Sequence, residues 1–334
     1  MVAECKKLAE CLYNTSTLVV KDPRCPSNDN DRFLNMLEKY YEQGTEACLE
    51  DARPDLHYQV GVTPEGVEFP KCARDPKCVA EIANQSEENK AHMPEKPDPK
   101  WRYMWKIGER PKDSKFQELN APPVVPKAIP EWSEVMDLWG GKMLNALEVV
   151  AEMLAVGYGL PVGTFRDMMQ QAPHLLAPTG SDLNKYQDDG TIFAGYHYDL
   201  NFLTIHGKSR YPGLFIWLRD GTKVSVKVPE GCLLVQAGKQ IEWMTGGHVR
   251  AGMHEVVFNR RTGEAVAKAK ADGKSLWRIS STVFGHLASD RWLEPVGHFA
   301  TEAAKAEYPG MYVGDFVSKE LESIALKSSD DLED

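Results

Sequence analysis

His197 and Asp199 stand two residues apart, His254 follows on a separate segment, and Arg278 and Ser280 come later still. Neutral imidazole and carboxylate are ligands that suit Fe(II). Two histidines and one carboxylate can hold one face of a mononuclear ion and leave the other face open. Residues i and i+2 of a strand project from the same side. A strand through Tyr196-His197-Tyr198-Asp199 therefore turns both ligands into one interior. His254 needs a folded sheet to reach them. His206, His248 and His286 are the competing histidines and read as structural or surface residues.

Arg278-Ile279-Ser280 adds carboxylate chemistry. An arginine two residues before a serine on a strand presents both side chains to one face. The guanidinium can then grip a carboxylate through two parallel hydrogen bonds, with the hydroxyl adding a third. A ferrous ion with one aspartate leaves a single positive charge and Arg278 adds another, which balances a bound dicarboxylate. The plainer alternative is a structural ion pair between Arg278 and one of the chain's many carboxylates.

These residues need elements to position them. Residues 5–16 read as a helix and 17–20 as a short strand. Phe33, Met36, Leu37 and Tyr40 fall at helical spacing within 28–42, behind the candidate N-caps Asn28 to Asp31. Residues 53–130 are rich in Pro, Lys, Glu and Asp and read as a long irregular cover, with 83–91 a candidate helix. Pro130 opens the clearest helix: Val135, Trp139, Met143, Leu147, Val150 and Leu154 form an apolar stripe that ends at Gly157-Tyr158-Gly159. A shorter helix follows Pro161. Beyond residue 172 the pattern changes to short apolar runs at 192–198, 202–205, 214–218, 223–228, 232–236, 254–258 and 277–284. Such runs, separated by Gly, Pro and Asp, predict an antiparallel sandwich or jelly roll. Residues 300–326 read as helical and 328–334 as a frayed acidic tail.

The bulk numbers bound the partners. Net charge is −10, from 39 basic and 49 acidic residues, which disfavours nucleic acid as a partner. No apolar run is long enough to cross a bilayer. Glu4, Lys6, Lys7 and Glu10 break the start, so a secretory segment is not expected there. Seven cysteines, an odd number, predict reduced thiols in a cytoplasmic protein. Oligomeric state is not legible.

The stretch from Asn184 to Leu287 resembles the isopenicillin-N-synthase-like 2-oxoglutarate/Fe(II)-dependent dioxygenases. The matching pieces are Asn184-Lys185-Tyr186, the run from His197 to Thr204 and Pro212-Gly213-Leu214. Gly238, Met244-Thr245-Gly246-Gly247, Met253-His254-Glu255-Val256 and Arg278-Ile279-Ser280 then follow in the family's order. The first two fifths resemble it more weakly. Two features depart. Residues 255–277 separate His254 from Arg278 where the family usually has a shorter gap, and the excess around 260–274 reads as an extended hairpin tip. Glu255 stands where a basic residue is common and reads as a surface residue.

The resemblance implies an all-β core with flanking helices (α+β), a double-stranded β-helix of the jelly-roll, cupin-like kind. It implies an N-terminal helical and irregular cover over 1–170, a catalytic core over 171–300 and a C-terminal helix and tail over 301–334, together one compact unit. It implies Fe(II) on His197, Asp199 and His254, with 2-oxoglutarate on Arg278, Ser280, Asn184 and Tyr186, and O2 as oxidant. The reaction would be hydroxylation, desaturation or ring closure of a small molecule, amino-acid-like metabolites included, with release of succinate and CO2. Phe284, Arg102, His298 and Phe299 are the candidate substrate residues. Two alternatives stay open: an Fe(II) oxidase or oxidative cyclase that uses the Arg-x-Ser pair for its substrate, and a non-catalytic jelly-roll binding protein.

Overall fold

The computed structural model describes residues 1–73 and 75–324. Two antiparallel sheets face each other and enclose the site. The larger runs in the order Thr17–Val20, Leu233–Ala237, Leu203–Gly207, Ser281–Gly285, Leu175–Leu176, Trp101–Lys106, Thr179–Asp182 and Trp277–Ile279, with Gly61–Thr63 also paired to Trp101–Lys106. The smaller runs Ile192–His197, His254–Val257, Leu214–Trp217 and Lys223–Ser225. Apart from the hairpin of Leu214–Trp217 and Lys223–Ser225, neighbours in the sheets are distant in sequence, which is the crossing connectivity of a jelly roll.

The helix Trp132–Gly157 backs the larger sheet. Its stripe of Val135, Trp139, Met143, Leu147, Val150 and Leu154 is buried, and Trp139 donates from Nε1 to Ser281 Oγ at 2.7 Å, tying helix to sheet. The helix Val2–Thr15 packs on the same element. The crossing is tight enough that a Cβ at Gly157 would lie 2.3 Å from the Cys5 carbonyl oxygen. Truncating a ring such as Trp139 in this core should cost about 3–5 kcal/mol.

Several sequence expectations need correction. The 260–274 excess is not a hairpin tip but the helix Arg260–Ala271. Asn259 caps it by accepting from Thr262 N, and Thr262 returns a bond to the Asn259 backbone, while Val266 and Ala269 supply its buried face. The helix placed at 83–91 lies earlier, at Pro76–Ala83, because Asp75 caps it and Pro76 suits a first helical position. The run 277–284 is two strands that break at Ser280 and pair with different partners, Thr179–Asp182 and Leu203–Gly207. The stretch 300–326 divides at Pro309-Gly310 into Glu302–Glu307 and Val313–Ser323, with the short strand Met311–Tyr312 between; residues 325–334, the expected tail included, lie outside the described residues.

The cover is less irregular than its composition suggests, since it supplies Gly61–Thr63 and Trp101–Lys106 to the larger sheet. Cys72 and Cys78 are joined in a disulfide, against the expectation of thiols throughout; the remaining five cysteines are free. Both sulfurs belong to a small apolar cluster with Ile82, Ala91, Tyr196 and Trp217, which presses the cover onto the smaller sheet. Glu255 is fully buried rather than on the surface. It accepts from His92 N at 3.0 Å and from Lys223 Nζ at 2.7 Å, anchoring the cover's end. Among the described residues no helix is long and apolar enough to cross a membrane.

Candidate metal and carboxylate site

Strand pairing brings the ligands together. His254 is the cross-strand partner of His197, and the two ring centroids lie 4.1 Å apart. Asp199 falls just past the end of Ile192–His197, in a bend, so strand periodicity is not what aims it. The bend is held from below: Lys239 N donates to the Asp199 carbonyl at 2.8 Å and Gly238 N to the Phe202 carbonyl at 3.0 Å. A side chain at Gly238 would collide, because its Cβ would sit 2.0 Å from Asn201 O. That close approach is what the glycine is for.

One ligand atom from each of His197, Asp199 and His254 lies within 4.8 Å of the other two. Asp199 Oδ1 is 3.8 Å from His197 Nε2 and 3.7 Å from His254 Nε2. The opposite atoms are engaged. His197 Nδ1 donates to Gly195 O at 2.6 Å, and Thr204 Oγ1 donates to Asp199 Oδ2 at 2.6 Å. His254 Nδ1 lies 3.2 Å from Gly252 O and 3.1 Å from Gln236 Nε2. The bond to Gly195 O fixes His197 with its Nε2 lone pair turned inward, the Gly252 carbonyl favours the same tautomer in His254, and Oδ1 is left free. Burial and the neighbouring His254 both hold His197 below its ordinary range, so the ring is neutral as a ligand must be. This donor set fits a divalent ion of the ferrous type.

The triad separates two cavities. The smaller, about 290 Å³, touches all three ligands and is lined by Arg278, Ser280, His206, Thr282 and Tyr211. The larger, about 660 Å³, touches His197 and Asp199 and runs beneath the cover. Arg278 is buried at 5% exposure, and its Nε donates to Pro212 O at 3.1 Å. Among the described residues it has no carboxylate partner. Burial alone lowers its pKa, to about 10, which leaves it charged. A buried guanidinium without a counter-ion is costly, and an anionic ligand offsets that cost.

The sequence-derived residues divide cleanly. His197, Asp199, His254, Arg278, Ser280, Phe284 and Arg102 converge on the two cavities, with Phe284 and Arg102 lining both. Asn184 and Tyr186 do not: the Asn184 amide donates to Asp182, and the Tyr186 hydroxyl donates to Glu65 at 3.1 Å. Neither lines either of these two cavities. His298 and Phe299 also lie elsewhere, Phe299 being packed on Tyr158 and His248. Sequence reading set His206 and His286 aside as structural or surface residues, yet they line the smaller and larger cavity respectively. It also missed Glu68 and Lys100, which share the buried pocket wall with Arg102. The alternating pattern of Leu203–Gly207 and Ser281–Gly285 was the available signal for His206, whose Nδ1 lies 3.0 Å from its cross-strand partner Thr282.

Comparison with known proteins agrees with this geometry. Residues 175–287 match the model of the 2OG-Fe(II) oxygenase superfamily. Kihadalactone A synthase LFS of Citrus sinensis is 23% identical over 216 residues, 61% of this chain and 58% of that protein. Flavonol synthase/flavanone 3-hydroxylase of Petunia hybrida is 22% identical over 210 residues, 60% of this chain and 53% of that protein. The match thus spans little more than half the length of either relative. Among solved structures, a 2OG-Fe(II) oxygenase family protein of Caulobacter crescentus superposes with a TM-score of 0.75 at 20% identity, covering 97% of this chain and 94% of that one. A full-length Neurospora crassa protein in complex with alpha-KG gives 0.74 at 16% identity, covering 96% and 91%. At these identities the structural likeness speaks for the fold.

Proposed function

We propose that the protein, whose residues 175–287 match the model of the 2OG-Fe(II) oxygenase superfamily, is a 2-oxoglutarate- and Fe(II)-dependent oxygenase of a small molecule. The observation that carries this reading is Arg278, a buried, charged guanidinium with no carboxylate partner among the described residues, lining the cavity that also touches all three metal ligands. That cavity offers positive charge at its far end and an open metal face at its near end. A dicarboxylate with a keto group beside one carboxylate is complementary to both.

His197, Asp199 and His254 would hold the ion. When bound, the iron and its 2-oxo acid supply the oxidising chemistry, with succinate and CO2 as coproducts. The protein's part is positioning. Arg278 would receive the distal carboxylate, with Ser280 Oγ beside it; that oxygen already accepts from Thr179 N at 2.8 Å and from Thr179 Oγ1 at 3.0 Å, which leaves its own proton for a ligand. Thr204 keeps one Asp199 oxygen occupied and the other available. Phe284 stands where the two cavities meet and presents an apolar wall to whatever approaches the metal. The cover overhangs the larger cavity, in which the substrate would be seated.

The test is spectroscopic and anaerobic: the protein is loaded with Fe(II), 2-oxoglutarate is added, and the visible absorption is recorded. A metal-to-ligand charge-transfer band is expected for wild type, and its midpoint should move to much higher 2-oxoglutarate in Arg278→Ala. Iron bound without a band would remove 2-oxoglutarate from the reading and assign Arg278 to a different carboxylate.

A further inference from the structure

The inner end of the larger cavity is lined by four buried charged residues: Glu68, Asp98, Lys100 and Arg102, each with no more than 14% side-chain exposure. Their charges are mutually satisfied. Lys100 Nζ bridges Glu68 Oε2 at 3.0 Å and Asp98 Oδ2, and Arg102 Nη2 meets Glu68 Oε2 at 2.9 Å. Asp98 Oδ1 also accepts from Gly195 N at 3.1 Å, two residues before the first metal ligand. Burial opposes ionisation of Glu68, but Arg102 and Lys100 outweigh it and keep the carboxylate charged. Two cations and two anions sum to nothing, so a carboxylate or phosphate on a substrate would find no free cation at this depth. Bringing one in would add an uncompensated buried charge, which is strongly disfavoured. This removes Arg102 as a clamp for a substrate carboxylate.

The same cluster leaves hydrogen-bonding capacity unused. Both ionic contacts of Glu68 fall on its Oε2, and the other oxygen, Oε1, is buried with no partner among the described residues. On the facing residue Arg102 Nε is likewise buried with no partner. Buried polar groups are rarely left in that state, and each such exception asks for a missing partner. The two atoms are an acceptor and a donor on residues already in contact. Beside them Phe284 offers a flat apolar face, over which the Arg102 guanidinium lies at 5.7 Å. His286, 5% exposed, is a further lining residue with an unpartnered Nδ1.

We propose that the larger cavity takes an uncharged substrate carrying a carbonyl next to an N–H, as in an amide, lactam or cyclic urea, with Arg102 Nε donating to the carbonyl and Glu68 Oε1 accepting from the N–H. This builds on the oxygenase reading only in taking the larger cavity as the substrate side. Molecules of the same size that would place a charge against this cluster are disfavoured, because the cations there, Lys100 and Arg102, are both spent. The closed donor–acceptor pair rejects ligands that lack either group, since each unmet partner stays buried.

The experiment measures binding, not turnover. The full chain, loaded anaerobically with Fe(II) and 2-oxoglutarate, is titrated calorimetrically with thymine, 2-piperidone, pipecolate and benzoate. The first two probes are uncharged and carry the carbonyl/N–H edge, whereas pipecolate is zwitterionic and benzoate anionic. The uncharged probes should bind at least about tenfold more tightly than the charged ones. Glu68→Gln, nearly isosteric, removes one negative charge and replaces one of the two carboxylate oxygens by an N–H donor; it should abolish that preference and improve benzoate binding. Thermal unfolding and the charge-transfer band of the same sample show that the variant is folded and still holds its cosubstrate. Failure of both uncharged probes to bind, equal or tighter binding of the charged ones, or an unchanged preference in Glu68→Gln would each overturn the proposal. A missing charge-transfer band with the lactam preference intact would instead sink the oxygenase reading and leave this one standing.

Discussion

His197 and His254 are direct cross-strand partners on antiparallel neighbours of the smaller sheet, their rings 4.1 Å apart. The pairing register, rather than any local motif, puts both Nε2 atoms within 4 Å of the same Asp199 oxygen. A slip of one residue in this register would turn one imidazole to the opposite face of the sheet. The metal site is thus a property of strand pairing.

Asp199 depends on the hydroxyl of Thr204, its donor at 2.6 Å. Thr204→Val keeps the shape of a fully buried side chain and removes that bond. Metal affinity should fall by roughly 10–100-fold, the usual cost of losing such an outer partner. Asp199→Ala should abolish retention. Fe(II) or Zn(II) titration checks both, with circular dichroism showing an intact fold.

Gly238 makes room for the same loop. A Cβ there would lie 2.0 Å from Asn201 O and 3.1 Å from Asp199 O. Both are backbone atoms that cannot rotate away. Gly238→Ala should destabilise the protein by roughly 3 kcal/mol or more and displace Asp199. Chemical denaturation and metal content measured on one preparation would show the two losses together; loss of neither would mean the loop has slack.

Arg278 should act with opposite signs on binding and on the empty protein. Arg278→Met removes the anion's partner and should weaken 2-oxoglutarate by about 2–5 kcal/mol. It also removes a buried charge that has no counter-ion among the described residues, so the ligand-free variant should be at least as stable as wild type. Cosubstrate titration and thermal melts without ligand test the two halves separately. A variant less stable by several kcal/mol would show that the bond from Nε to Pro212 O matters more than the charge.

Lys106 introduces a pH dependence remote from the metal. Its Nζ is buried and donates to Leu119 O at 2.6 Å, and burial lowers its pKa from 10.5 to about 7. Between these values the unfolded chain binds the extra proton and the folded chain does not, so stability rises with pH across that window. The contribution is fully present above 10.5 and is lost as pH falls through about 7. Lys106→Met should flatten this rise, and urea melts at neutral and alkaline pH would show whether it does.

The disulfide has a chemical test. Alkylation of the denatured, unreduced protein should label five cysteines, and seven after reduction. Because the loop between Cys72 and Cys78 is short, Cys72→Ser with Cys78→Ser should cost only about 2 kcal/mol. Seven labels without reductant would restore the sequence expectation of thiols throughout.

What the sequence determined by itself was the chemistry and the local elements. Histidine, aspartate and arginine carry their ligand character wherever they sit, and the apolar stripe of Trp132–Gly157 is a helix by period alone. Most core strands were legible too, because alternation and turn residues are local signals, and Thr17–Val20 was placed to the residue, but Leu175–Leu176 and Thr179–Asp182 were not read. Tertiary structure decided the rest. Asparagine and threonine at 259 and 262 make a helix where a hairpin was expected, since capping is a geometric contact and not a hydrophobic period. Trp101–Lys106 becomes a strand only because Leu175–Leu176 and Thr179–Asp182 offer it paired edges. Arg102 was a candidate substrate residue, but Glu68, earlier in the same cover, holds its charge. Whether a charged group is spent or available depends on which groups burial places beside it, and that is information the chain acquires only by folding.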